Sequence, residues 1–339
     1  SVDWLFVFVD VFAWLLRHTT ALPLATASLA TLEALGVPFS WKKTVLSTAN
    51  IWLGFVIDTI TPSLHMAANK HVIVIQLLTK LANGDVFTRK GIEQALGRVQ
   101  WATAACPLAK PFLQPFWAWM SATQTSGKPG KIVRYLASLL LEAFQIKTPV
   151  PSPCCPCSKW HGASDAGAEK FADRVYIGGW LSGDLVPDKA SVWWFQHLLN
   201  KDQHPWAFKD GGPQRRIVAA ELFGSLLLVS LLAQKVKDSG ESHFGLRIPF
   251  ATDNQGNAFA LLSHNIRSWP KALILMELVL TVHRAGCQVA SSHAPRLRNI
   301  WADELTHERF HGFSKAHRLS VEHLPESFTL FRHLLHLSH

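Results

Sequence analysis

The sequence predicts an α/β fold, a mixed sheet with helices packed on it, and three observations carry that prediction. Between residues 170 and 310, strand-like and helix-like apolar periods alternate along the chain, the order that builds a sheet flanked by helices. A hydrophobic content of 48% over 339 residues is enough for two domains with cores and excludes a disordered chain. A proline-rich break at residues 147–158, KTPVPSPCCPCS, divides the chain, because proline removes backbone donors and biases its predecessor away from helix.

The elements follow in order. WLFVFVDVFAWLL at residues 4–16 is apolar and β-branched and reads as a buried strand. Residues 25–35 read as a helix stopped by Gly36, a natural C-terminal cap. IWLGFVI at residues 51–57 is strand-like, and residues 70–81 and 90–104 have helical apolar spacing. TQTSGKPGK at residues 123–131 is a second break. Beyond the linker, residues 170–181 alternate as a strand around Val175, Ile177 and Trp180, and residues 217–236 form a long helix. LRIPFAT at 246–252 is a short strand, 271–284 a helix, CQVASS at 287–292 a strand and 299–310 a helix.

Net charge is +9 and the sequence pI about 9.4. That balance favours a polyanionic partner, nucleic acid first and an anionic membrane surface second; the alternative is a basic protein with neither. Fourteen tryptophans are either stacking platforms for bases or core. Five cysteines, an odd count in a large chain, do not make a secreted disulfide scaffold, so a reducing, intracellular compartment, cytoplasmic or nuclear, is expected. Cys154, Cys155 and Cys157 lack a second Cys/His pair at zinc-knuckle spacing and read as linker. No run reaches the roughly 18 apolar residues of a membrane span, so no membrane is expected. The chain opens at Ser1 inside an apolar run and reads as cut from something longer.

Four acids stand out. Asp165 lies in GASDAG, Glu221 enters a strongly apolar helix, Asp253 follows the LRIPFAT strand, and Asp303 sits between Trp301 and Leu305. Singly, each reads as a cap or a surface charge. Together, acids flanked by apolar residues repel one another and cost several kcal/mol when buried. A hard divalent cation resolves that repulsion, and two such ions clamp the attacking and leaving oxygens of a phosphodiester.

The strings Ala163-Ser164-Asp165-Ala166, Ala220-Glu221-Leu222, Ala251-Thr252-Asp253-Asn254 and Trp301-Ala302-Asp303-Glu304-Leu305 together resemble the ribonuclease H domain of retrotransposon reverse transcriptases. The resemblance implies that Asp165, Glu221, Asp253 and Asp303 hold two Mg2+ ions, with Mn2+ as a substitute. It implies that His293, in Ser292-His293-Ala294-Pro295, assists water attack or product release. Pro205-Trp206-Ala207-Phe208 is also similar to this group. Upstream, Phe8-Val9-Asp10-Val11 resembles the strand-turn-strand of a reverse transcriptase palm, with Val11 where a second aspartate stands. Leu35-Gly36-Val37-Pro38 with Trp41-Lys42-Lys43, then Trp52-Leu53-Gly54-Phe55, then Ala95-Leu96-Gly97-Arg98 and Pro111-Phe112-Leu113, resemble the palm and thumb or connection of DIRS-type or gypsy-type elements.

The implied organisation is a partial palm at 1–68, thumb or connection helices at 69–146, the linker at 147–158, a ribonuclease H-like domain at 159–312 and a histidine-rich tail at 313–339. The implied activity is hydrolysis of the RNA strand of RNA–DNA hybrids, with substrate chosen by groove shape and the 2′-hydroxyl. Lys42, Lys43, Asn254 and Asn299 are the expected nucleic-acid contacts. Asp10 is the residual polymerase acid; Val11 binds no cation, and the fingers and first palm aspartate belong to missing upstream Pol segments, so DNA synthesis is not expected. A catalytically inactive relic that binds nucleic acid is the alternative. A third reading comes from His307-Glu308-x-x-His311 with His317, which is close to a zinc-protease ligand set. It lacks a downstream methionine, and the Asp303 helix would simply continue through it.

Overall fold

The structure, a computed structural model, describes residues 4–8, 11–16, 19–38, 40–60, 63–145, 148–149, 156–168, 173–209, 212–241 and 245–338. In the first half, β1 (Trp4–Phe8) and β2 (Val11–Leu15) pair antiparallel, with Phe8 opposite Val11. The apolar opening is therefore a hairpin rather than one strand. Asp10 lies outside the described residues. Helix α1 (Ala21–Ala34) buries none of its residues. β3 (Ala49–Trp52), β4 (Phe55–Asp58) and β5 (Ser63–Met66) form an antiparallel meander. Leu53 and Gly54 turn the first hairpin at φ 52° and 85°, the left-handed pair that a tight two-residue turn requires. Phe55 then stacks on Trp101 at 4.3 Å.

Next come α2 (Ala68–Asn83), β6 (Phe87–Thr88), α3 (Arg89–Ala102), α4 (Gln114–Ala122), β7 (Ser126–Gly127) and α5 (Lys131–Gln145). Val74, Leu78 and Leu81 on α2 and Ile92, Leu96 and Val99 on α3 recur at three- and four-residue intervals, so each helix buries one stripe. Leu136, Leu140 and Phe144 of α5 complete this core. β8 (Thr148–Pro149), inside the expected linker, pairs with β5. Of that linker, residues 156–158 are also described, and they run beside Arg247: its N–H donates to the Pro156 carbonyl at 3.0 Å, and Ser158 N–H donates to its carbonyl at 2.8 Å.

The second half is the mixed sheet expected. β9 (His161–Gly167), β10 (Arg174–Ser182) and β11 (Trp193–Asn200) form an antiparallel meander, followed by α6 (Ile217–Asp238), β12 (Leu246–Thr252), α7 (Gln255–Ser263), α8 (Lys271–Arg284) and β13 (Cys287–His293). The strand order is β11-β10-β9-β12-β13, with β12 parallel to both β9 and β13. α9 (Ile300–Thr306) follows.

Glycines set how closely two helices approach. A Cβ at Gly224 of α6 would lie 2.9 Å from Ile177, and one at Gly178 would lie 2.6 Å from the Ala302 carbonyl and from Leu305 of α9. Ile177 and Gly178 are consecutive in β10 and point to opposite faces, so α6 and α9 cover the two sides of the sheet. α6 is long and apolar enough to cross a membrane by length and composition, contrary to the expectation that no segment is. Its Leu222, Phe223, Leu226, Leu227, Val229 and Leu232 are buried in the sheet's core, which accounts for that apolarity.

Two further expectations are corrected. α9 ends at Thr306; His307 caps it and Glu308 turns left-handed at φ 59°, so the HERFH string is not a helix and its histidines share no helical face. Residues 313–338, expected as a tail, pack into the second-half core. Phe313, Val321, Phe328, Leu330, Phe331 and Leu334 are buried, and α10 (Leu324–Ser327) leads into α11 (Thr329–Leu337) on α8. Glu277 of α8 accepts the Phe331 N–H at 2.8 Å, taking up one of the donors a helix start leaves open.

Candidate active site

Parallel strands align the acids. Gly162 and Ala163 of β9 pair with Phe250 and Ala251 of β12, and two more residues along that register bring Asp165 beside Asp253 at the carboxyl ends of the strands. β13 runs parallel on the other side, with Thr252 opposite His293. Glu221, one turn into α6, comes from the helix packed on β9. Ligand oxygens of Asp165, Glu221 and Asp253 all lie within 4.8 Å of one another.

The electrostatics match that proximity. Asp165 is 6% exposed; burial, then the neighbouring Asp253 charge, push its carboxyl up to about 7. Burial, then Asp253 and Asp165, push Glu221 up to about 7 as well. Asp253 is also raised, mainly by burial, and its Oδ1 is a buried oxygen without a hydrogen-bond partner among the described residues. An all-oxygen donor set, mutually repelling and with an orphaned oxygen, suits a hard divalent cation.

The remaining expected residues fall around this group. Asp303 is not within the cluster of three, although its charge acts on Asp165 and Asp253; it accepts a hydrogen bond from Arg296 Nη2 at 3.0 Å. His293 is exposed, with Nε2 3.1 Å from the Asp253 carbonyl oxygen. Asn254 Oδ1 caps α7 by accepting the Asn257 N–H at 3.0 Å, while its Nδ2 donates to Glu221 Oε2 at 2.8 Å. Its side chain is thus committed to the carboxylate cluster. Asn299 is 1% exposed and donates to the Ser164 carbonyl at 3.3 Å, so it fastens the start of α9 to β9 rather than facing solvent. Lys42 and Lys43 lie on an exposed short 3₁₀ turn in the first half. His307 Nδ1 lies 2.8 Å from the Asp303 carbonyl, while His311 is exposed and His317 packs on Trp193 with ring centroids 5.0 Å apart. Among the described residues the three histidines do not form a metal cluster.

Sequence reasoning placed Asp165 at the edge of a strand region; it stands inside β9, whose small residues hide its strand character. It missed Arg296, whose one signal is a cation seven residues before Asp303.

No family model matches the chain, and no curated protein matches it. Among solved structures it is similar to a foamy viral protease-reverse transcriptase in complex with an RNA/DNA hybrid, at 11% identity and TM-score 0.37 over 85% of this chain and 35% of that one. The same viral protein in complex with double-stranded DNA gives 12% identity and 0.37, over 86% and 46%. Ribonuclease H1 from the halophilic archaeon Halobacterium salinarum gives 16% identity and 0.28, over 44% of this chain and 96% of that one. The chain spans less than half the length of the foamy viral chains named here.

Proposed function

We propose that the second half hydrolyses the RNA strand of RNA–DNA hybrids, as the ribonuclease H-type part of a retrotransposon Pol fragment whose first half no longer polymerises. The observation that carries this reading is the meeting of Asp165, Glu221 and Asp253, from three separate elements, within 4.8 Å. Those three acids, joined by Asp303, would hold two Mg2+ ions. When bound, the ions supply a water of lowered pKa and stabilise charge at phosphorus. The chain's own part is to orient and to exclude water. Asn254 steadies the Glu221 carboxylate by donating to Oε2. The buried floor around Asp165 strengthens every charge interaction at the site. His293, exposed at the rim beside Asp253, is placed to move a proton.

The test is cleavage of a labelled RNA–DNA hybrid in MgCl2, with and without chelator. The wild-type chain is expected to cut only with metal. Asp253→Asn is expected to lose on the order of a thousandfold in rate, about 4 kcal/mol at the transition state, with unchanged circular dichroism. Normal cutting by that variant would overturn the site assignment. The second reading, a relic that binds without cutting, is favoured by Val11 standing where the palm pattern has an acid. It predicts salt-dependent retention of the hybrid and intact RNA.

A further inference from the structure

The segment joining β13 to α9 is fastened beside both central aspartates. Ala294 N–H donates to the carbonyl of Thr252, the residue before Asp253, at 2.9 Å. At the other end, buried Asn299 donates to the carbonyl of Ser164, the residue before Asp165, at 3.3 Å. Between these anchors the chain makes the short 3₁₀ turn Arg296–Arg298. Arg298 N–H donates to the Pro295 carbonyl at 2.7 Å, and Asn299 N–H to the Arg296 carbonyl at 3.0 Å. The turn is therefore tied to the same backbone that carries the acids.

What the turn displays is Leu297, 85% exposed, with an exposed arginine on either side and exposed Ile300 three residues on. Its neighbour Arg296 reaches Asp303, so the turn stands at the rim of the acidic group. An aliphatic side chain held in water contributes little to the fold. Covering it with a ligand removes apolar surface from water, and the fixed turn spares the cost of ordering a loop. The flanking guanidiniums indicate which ligand. A nucleic-acid duplex is a polyanion outside, with sugar and base edges in its grooves that accept an apolar wedge. We propose that Leu297 is such a wedge: it enters the groove of the duplex lying across the acids, while Arg298 takes an adjoining phosphate. The inference rests on the nuclease reading above. It adds to that site a contact of a different kind, apolar and insensitive to salt.

The test uses the full chain and a labelled RNA–DNA hybrid in CaCl2, with the RNA checked intact on a gel and affinity followed across a salt series. Leu297→Ser is expected to weaken hybrid binding about five- to tenfold at every salt concentration and to leave the salt slope unchanged. Leu297→Met, which keeps the apolar volume, is expected to bind within about twofold of wild type. Arg298→Gln is expected to lower the slope by about one. The RNA strand alone offers no groove, so Leu297→Ser is expected to bind it as wild type does. Mn2+ uptake, followed by titration calorimetry, is expected to match wild type in both Leu297 variants, since neither touches a ligand. Unchanged hybrid binding by Leu297→Ser would overturn the wedge, and so would an equal loss on the single strand. A loss accompanied by weakened Mn2+ uptake would trace the effect to a disturbed acid site and overturn it as well. An unchanged slope in Arg298→Gln would overturn the phosphate contact. If the wild-type chain takes up no Mn2+ and leaves hybrids uncut in MgCl2, the nuclease reading falls and the wedge with it. If it does both and Leu297→Ser binds the hybrid as wild type does, the wedge alone falls.

Discussion

Two acidic motifs are written into this chain, and they sit in very different surroundings. In the first half, the sequence puts Val11, the first residue of β2, where the palm pattern expects an acid; Asp10 lies outside the described residues, and α1, which follows, buries none of its own. The second-half acids grow out of the core: Asp165 is inside the central strand, Glu221 on the long, largely buried helix α6 and Asp253 at the end of a strand paired on both sides. The lesson is that a ligand set supplied by core elements is held in place by the packing that makes the domain fold. A residue on an element such as α1, which buries none of its side chains, has no such guardian, and its loss costs the fold little.

The largest expected effect tests that contrast through stability. Leu226→Ala, on the buried run of α6, should cost about 2–5 kcal/mol, because Leu226 is fully buried and leaves a cavity. Leu22→Ala on α1, 67% exposed, should stay within about 0.5 kcal/mol. Urea midpoints measure both, and equal losses would break the comparison. A smaller effect is the pH dependence of the metal-free protein. Asp165 and Glu221 are raised to about 7 in the folded state, so they keep protons that the unfolded chain releases near pH 4. Stability is therefore full below about pH 4 and falls as pH rises through about 7. In chelator, the urea midpoint should drop between pH 5 and pH 8, and MgCl2 should restore more stability at pH 8 than at pH 5. A flat profile in chelator would show that neither burial nor the neighbouring acids raise these carboxyls. The smallest effect lies in the first half. Lys42→Ala and Lys43→Ala should each lower the salt slope of hybrid binding by about 0.9 if each touches one phosphate, with the cleavage rate of bound hybrid unchanged. No change in either would confine nucleic-acid contact to the second half.

The mixed sheet was legible because β10, β12, β13, α6 and α8 carry clear apolar periods. β9 was not: His-Gly-Ala-Ser-Asp-Ala-Gly has poor strand propensity, and it is a strand because α6 packs closely on its small side chains. The order of the four acids could be read, and three of them meet. The separation of Asp303 could not, since an ion pair with Arg296 depends on how the loop after β13 folds back. The histidines after Asp303 misled because helical spacing was assumed across Glu308, where the backbone turns left-handed. The closing residues misled by composition: their histidines mask the Phe328, Phe331 and Leu334 positions that the core requires.

Glu277 gives that last point a practical edge. It is a carboxylate 1% exposed whose acceptor is satisfied by the opening turn of α11. Trimming the protein after residue 312, where composition invites a cut, would strip the cover from this buried acid and leave water to flood the seam between α8 and its lost neighbour. The shortest piece worth expressing therefore ends beyond Leu337, and a shorter one would aggregate for reasons unconnected with its chemistry.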